Sequence, residues 1–156
     1  MNRNTWQWPN INEYNVSFKM GSSMQVIGPT YSGKTYFIIR LIDYCKTVFD
    51  KLPQHVYWFY GGKTKIHDKL ASRKYKMHEG LPKNGFDFVK ENSIIVLDDL
   101  MTDSKNDANV TKLFTQLAHH KKLFIINVKQ NLYNQSREAR DRTLNKIGRA
   151  SCRERV

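Results

Sequence analysis

The sequence predicts an α/β domain with a mainly parallel central sheet covered by helices on both faces. Three observations carry this. Short β-like runs alternate with helical patterns along the chain, the order that produces a parallel sheet. The run "SIIVL" at 93–97 is apolar without alternation, as suits a strand buried on both faces. The stretch "GPTYSGKT", residues 28–35, sits between an apolar run and an apolar helical pattern. At 156 residues the chain has the size of one domain and can bury one core.

Taken in order, the strand candidates are residues 22–27 leading into Gly28, "HVYWFY" at 55–60, "YKMH" at 75–78, "SIIVLD" at 93–98 and "LFIINV" at 123–128. Between the first two, residues 34–50 place Phe37, Ile38, Leu41, Ile42, Cys45, Val48 and Phe49 on one helical stripe, with Arg40, Asp43, Lys46 and Asp50 opposite. Val110, Leu113, Phe114 and Leu117 form a similar stripe over 107–118. "DKLPQ" and "GLPKNG" read as turns, and the polar, arginine-rich segment 129–146 belongs outside the core.

Composition narrows the partners. Lys and Arg number 26 against 14 Asp and Glu, a net charge of +12, and so basic a surface attracts polyanions such as nucleic acid or anionic membrane, a well-solvated lysine surface being the blander reading. No apolar run approaches the ~20 residues that span a bilayer, and the N-terminal "MNRNTWQWPN" lacks the apolar core of a signal peptide. The expectation is an intracellular protein with no membrane partner. Cys45 and Cys152 are too few and too unpatterned for a disulfide framework or a zinc site. The last ten residues, "IGRASCRERV", back-translate without strain to a common short-read sequencing adapter. Ile147 to Val156 are therefore expected to be foreign sequence, leaving 1–146 as a domain incomplete at its C-terminus.

Gly28, Gly33, Lys34 and Thr35 fit the phosphate-loop pattern G-x-x-x-x-G-K-[ST], here in its required context of preceding strand and following helix. In such a loop, the backbone N–H groups of Gly28, Pro29, Thr30, Tyr31, Ser32 and Gly33, proline excepted, turn towards phosphates, and the helix N-terminus adds positive charge. Lys34 neutralises phosphate oxygens, and the Thr35 hydroxyl ligates Mg²⁺. The domain is thus expected to be a three-layer P-loop ATPase binding ATP and Mg²⁺. A solvated lysine on a chance glycine turn is the blander reading, which spacing and context disfavour.

"SIIVLDDL" ends an apolar strand in two acids. Asp98 is assigned to the Mg²⁺ shell and Asp99 to general-base attack on the γ-phosphate, although capping of the following turn would use the same residues. Aspartate at the second position reaches one methylene less far than the more usual glutamate. Gln130 follows the next apolar run, "LFIINVK", and is expected to orient water or sense the γ-phosphate if its strand lies between the loop and Asp98. Asn127 and Asn131 are its rivals.

Other conspicuous residues carry less. His119, His120, Lys121 and Lys122 end a helix, where cations meet its negative pole. "GGKT" at 61–64 is rejected as a second phosphate loop, because Tyr57 stands where the first glycine belongs. Trp6 and Trp8 suit packing more than base stacking. Lys63, Lys65, Lys69, Arg73, Lys74 and Lys76 suit a solvated helix face as well as a DNA track.

The ordered set "GPTYSGKT", "HEGLP", "IIVLDDLM", "LFTQLAHHKKLFIINVKQNLY" and "REARDRTLN" resembles the viral genome-packaging ATPases of the FtsK/HerA superfamily, in particular those of adintoviruses and polinton-like elements. The resemblance runs from about Phe18 to Asn145. It implies a RecA-like, ASCE-type domain, a homo-oligomeric ring, and ATP-driven translocation of double-stranded DNA into a capsid whose portal or vertex proteins are further partners. The site is then intracellular in the sense of host nucleus or cytoplasm. The resemblance puts the loop on Gly33, Lys34 and Thr35, the acidic pair on Asp98 and Asp99, the strand-end glutamine on Gln130, and an arginine that meets a neighbouring subunit's nucleotide on Arg140, with Arg137 and Arg142 as alternatives. Two departures stand out: Lys129 stands where a small or β-branched residue is more usual, and the suspected adapter tail takes the place of the strand expected after Asn145. A small nucleotide kinase would use the same loop, and a degraded copy would bind nucleotide without turnover.

Overall fold

The computed structural model describes residues 17–62, 65–100 and 104–130. Five strands run parallel in the order β1-β5-β4-β2-β3: β1 (Ser23–Ile27), β2 (His55–Tyr60), β3 (Lys76–Glu79), β4 (Ser93–Asp98) and β5 (Phe124–Lys129). β2 and β4 have the bounds expected from sequence; β1, β3 and β5 begin one residue later. The strand ending at Lys129 lies between the strand that leads into the glycine loop and the Asp98 strand, the arrangement that the reading of Gln130 required.

Helices cover both faces. On one, α1 (Lys34–Asp43) and α3 (Lys65–Ala71) contribute Ile38, Ile39, Leu41, Ile42 and Leu70 to a core with Trp58, Ile94, Val96, Phe124, Ile126 and Val128. On the other, α4 (Ser104–Lys112), a π-helical turn (Leu113–Leu117) and α5 (Ala118–His120) bring Val110, Leu113, Phe114, Leu117 and Ala118 onto Tyr57, Phe59, Ile95, Leu97 and Ile125. The division follows the two-residue period of a strand: even positions of β4 face α1 and α3, and odd ones face α4. Ser93 to Leu97 are all buried, as an unalternating apolar run requires.

Two helical expectations are corrected. The segment 34–50 is not one helix, because the chain turns at Tyr44 (φ −94°, ψ 18°) before the short α2 (Cys45–Val48). Phe49 is then extended, bridging Phe18 and packing edge-on to Phe124 at 4.8 Å. The buried stripe of α1 also takes in Ile39, at 9% exposure, and leaves Phe37 48% exposed. Periodicity makes the two flanks of a stripe equivalent, and the packing partner chooses between them. The helix expected at 107–118 occupies 104–120, and all four of its stripe residues are buried. No helix among the described residues is long and apolar enough to cross a membrane.

Candidate functional site

Because the strands are parallel, the C-terminal ends of β1, β5 and β4 open onto one edge of the sheet, where open α/β sheets bind ligands. β5 joins its neighbours there: Gly28 N–H donates to the Lys129 carbonyl at 3.2 Å, and Asp99 N–H donates to the Val128 carbonyl at 3.4 Å. Gln130 therefore emerges between the glycine loop and the acidic pair.

The loop is shaped by its backbone. A Cβ on Gly28 would stand 2.8 Å from Ser32 Oγ, so the chain folds back over its first residue. Tyr31 (φ 63°) and Gly33 (φ 85°) are left-handed, the conformation that turns successive N–H groups to one side. No side chain caps the start of α1 and no acid stands in its first turn, so its N-terminal N–H groups keep their positive character. Lys34 Nζ lies over the loop, donating to the carbonyls of Gly28 at 2.8 Å and Pro29 at 2.7 Å. Thr35, the next residue of α1, is half-buried.

The acids have different environments. Asp98, with 14% of its side chain exposed, faces α3 and accepts from Trp58 Nε1 at 3.3 Å; His67 Nε2 stands 3.6 Å from the same oxygen, Oδ2. Burial raises the Asp98 pKa above the usual carboxylate value, opposed by the Trp58 hydrogen bond and by His67. Asp99 is exposed and left-handed (φ 48°), and its Oδ2 accepts from Gln130 Nε2 at 2.6 Å. Gly61 explains itself here: a Cβ would stand 2.8 Å from the Asp99 carbonyl oxygen. The first residue of the "GGKT" decoy thus serves the approach of β2's end to the acidic turn.

The structure brings together the loop, Asp98, Asp99 and Gln130. Asn127 is held within β5, opposite Gln25 and Leu97, and does not reach the strand end. Lys129 is half-buried, and desolvation lowers its pKa. Arg137, Arg140, Arg142, Asn131, Trp6, Trp8, Lys63 and the suspected tail with Cys152 lie outside the described residues. His119 and His120 are exposed at the end of α5, whereas Lys121 reaches back to the carbonyls of Asp87 and Val89, tying a loop rather than the helix pole. In the basic segment, Arg73 pairs with Asp43 of α1, and Lys76 Nζ sits 4.7 Å from the centre of the Tyr57 ring; Lys65, Lys69 and Lys74 are exposed.

Sequence reasoning missed Trp58, Tyr60, Gly61 and His67. The strand period held a partial signal, since Trp58 and Tyr60 share the face of Asp98 once β2 is known to neighbour β4. Among the described residues no group of three or more His, Cys, Asp or Glu could hold a metal ion unaided. The Thr35 hydroxyl and the Asp98 carboxylate nevertheless offer oxygen donors, the ligand type that Mg²⁺ takes together with phosphate and water. No protein-family model matches the sequence, and no curated protein matches it.

The raised pKa of Asp98 has a consequence for stability. A carboxyl with a higher pKa folded than unfolded contributes stability that is complete below the unfolded value and is lost as pH rises through the folded one. At neutral pH its ionised form is a cost of folding. Asp98→Asn should therefore raise the thermal midpoint at pH 7 and shrink that gain under acid, as read by thermal denaturation across pH. A lower midpoint at pH 7 would contradict this.

Proposed function

We propose that this domain hydrolyses ATP with Mg²⁺ and uses the energy to move double-stranded DNA, as the core of a ring-forming motor that packages a viral genome into a capsid. The observation that carries the reading is the convergence, at one edge of a parallel sheet, of the Lys34 loop, the Asp98–Asp99 pair and Gln130, with β5 between the first two. The resemblance to FtsK/HerA packaging ATPases supports the choice of DNA as track.

On this reading Lys34 and the loop N–H groups hold the β- and γ-phosphates. Thr35 and Asp98 would hold Mg²⁺, which when bound neutralises charge on the phosphates. Asp99 accepts the proton of the attacking water, and the products are ADP and phosphate. Gln130, already bonded to one Asp99 oxygen, fixes the carboxylate and leaves the other oxygen for that water. Arg140 of a neighbouring subunit would stabilise transition-state charge, as the resemblance implies.

An ATPase assay with and without duplex DNA tests the function. Turnover should rise with DNA regardless of its sequence, and the stimulation should fade steeply as salt rises, because phosphate contacts dominate such binding. Phosphoryl transfer to a nucleoside monophosphate would instead make the chain a kinase, and binding without turnover a degraded copy. Salt-insensitive or sequence-selective stimulation would contradict a phosphate-tracking motor.

A further inference from the structure

His67 belongs to neither the phosphate loop nor the acidic strand, yet its ring ends at the acid. It is carried by α3, which Leu70 anchors in the core, and it is 5% exposed. Its ring stacks on that of Tyr60, with centroids 4.3 Å apart and planes inclined by 21°. Tyr60 is the register partner of Asp98 across β2 and β4. The imidazole is thus held by Tyr60 with Nε2 3.6 Å from Asp98 Oδ2, an electrostatic contact rather than a full hydrogen bond. Two residues before Tyr60, Trp58 donates its indole N–H to that same oxygen. A histidine filling core space would need no carboxylate in front of its nitrogen, and an apolar ring would stack on Tyr60 equally well. Burying a carboxylate is costly unless polar partners surround it, and these two rings supply them from one side.

We propose that His67 is a positioning residue for Asp98: with Trp58 it holds Oδ2 on the α3 side, so that Oδ1, outside both contacts, is the oxygen offered to a hard divalent cation. The proposal rests on Asp98 being a cation ligand. Partners standing behind a ligand commonly set metal affinity by 10–100-fold without touching the metal. The helix α3 acquires a task at the site, and Tyr60 acquires one as the platform that orients the imidazole.

The experiment is Mn²⁺ binding to the full chain in the presence of a non-hydrolysable ATP analogue, followed by the electron paramagnetic resonance of free Mn²⁺. Analogue affinity in excess chelator reports the loop separately. His67→Ala should weaken Mn²⁺ binding about 10-fold or more while leaving metal-free analogue affinity unchanged. His67→Gln, which keeps a donor, should recover most of it; His67→Phe, which keeps the stack and the volume, should not. The Trp58 indole N–H resonance, assigned by its loss in Trp58→Phe, should broaden with Mn²⁺ in the unaltered chain and require more Mn²⁺ to broaden in His67→Phe. Should alanine fail to fold, the phenylalanine and glutamine variants decide. Unaltered Mn²⁺ affinity in folded His67→Phe overturns the positioning role. Unaltered affinity in Asp98→Asn overturns the assignment of Asp98 as ligand, a separate failure.

Discussion

Replacing Lys34 by alanine is expected to reduce ATP affinity about 100-fold or more, with the fold intact. The Lys34 ammonium is the cation that the loop itself supplies, and its present partners are the carbonyls of Gly28 and Pro29. Each charge-assisted hydrogen bond contributes roughly 1.5–3 kcal/mol, so losing two or more such bonds to phosphate gives this magnitude. Nothing in the core depends on the side chain, since α1 is anchored by Ile38, Ile39, Leu41 and Ile42. Titration with a fluorescent ATP analogue reads the affinity, and thermal denaturation without nucleotide reads the fold. Undiminished affinity in a folded variant would withdraw the phosphate-loop assignment and, with it, the ATPase reading.

The sheet was legible because its signal is local. β2 and β4 are runs of apolar and aromatic residues bounded by turns, and burial follows from their composition. The loop was legible because a glycine pattern between strand and helix needs no tertiary knowledge. Two other kinds of feature were hidden. The choice between Phe37 and Ile39 depends on what α1 packs against, which helical periodicity does not contain. His67 sits in a segment dominated by Lys65, Asp68 and Lys69, whose charges mask the stripe formed by Ile66, His67 and Leu70. Its meaning appears only when β2 lies beside β4. The left-handed backbone of Asp99 and the glycine it demands at position 61 come from two segments meeting at a strand end, and no local pattern records such a meeting.

Asp99→Asn is expected to keep Mg·ATP bound while lowering turnover by about 10²–10⁴-fold, the usual worth of a positioned general base. The substitution isolates the proton. Asparagine tolerates a left-handed backbone as aspartate does, so φ 48° adds little strain. Its amide oxygen can accept from Gln130 Nε2 in place of Oδ2, so the contact at 2.6 Å has a substitute. The Asp99 N–H bond to Val128 is backbone and survives. What the amide lacks is the ability to take a proton from water. Alanine would be a poorer test, because it removes the Gln130 contact and leaves a residue less suited to left-handed backbone at the end of β4. Rapid-quench kinetics under single turnover separates chemistry from product release, and analogue titration confirms binding. Loss of turnover with binding retained fits the base; turnover within a few-fold of the unaltered chain would move the base elsewhere and leave Asp99 as the turn-forming residue after β4.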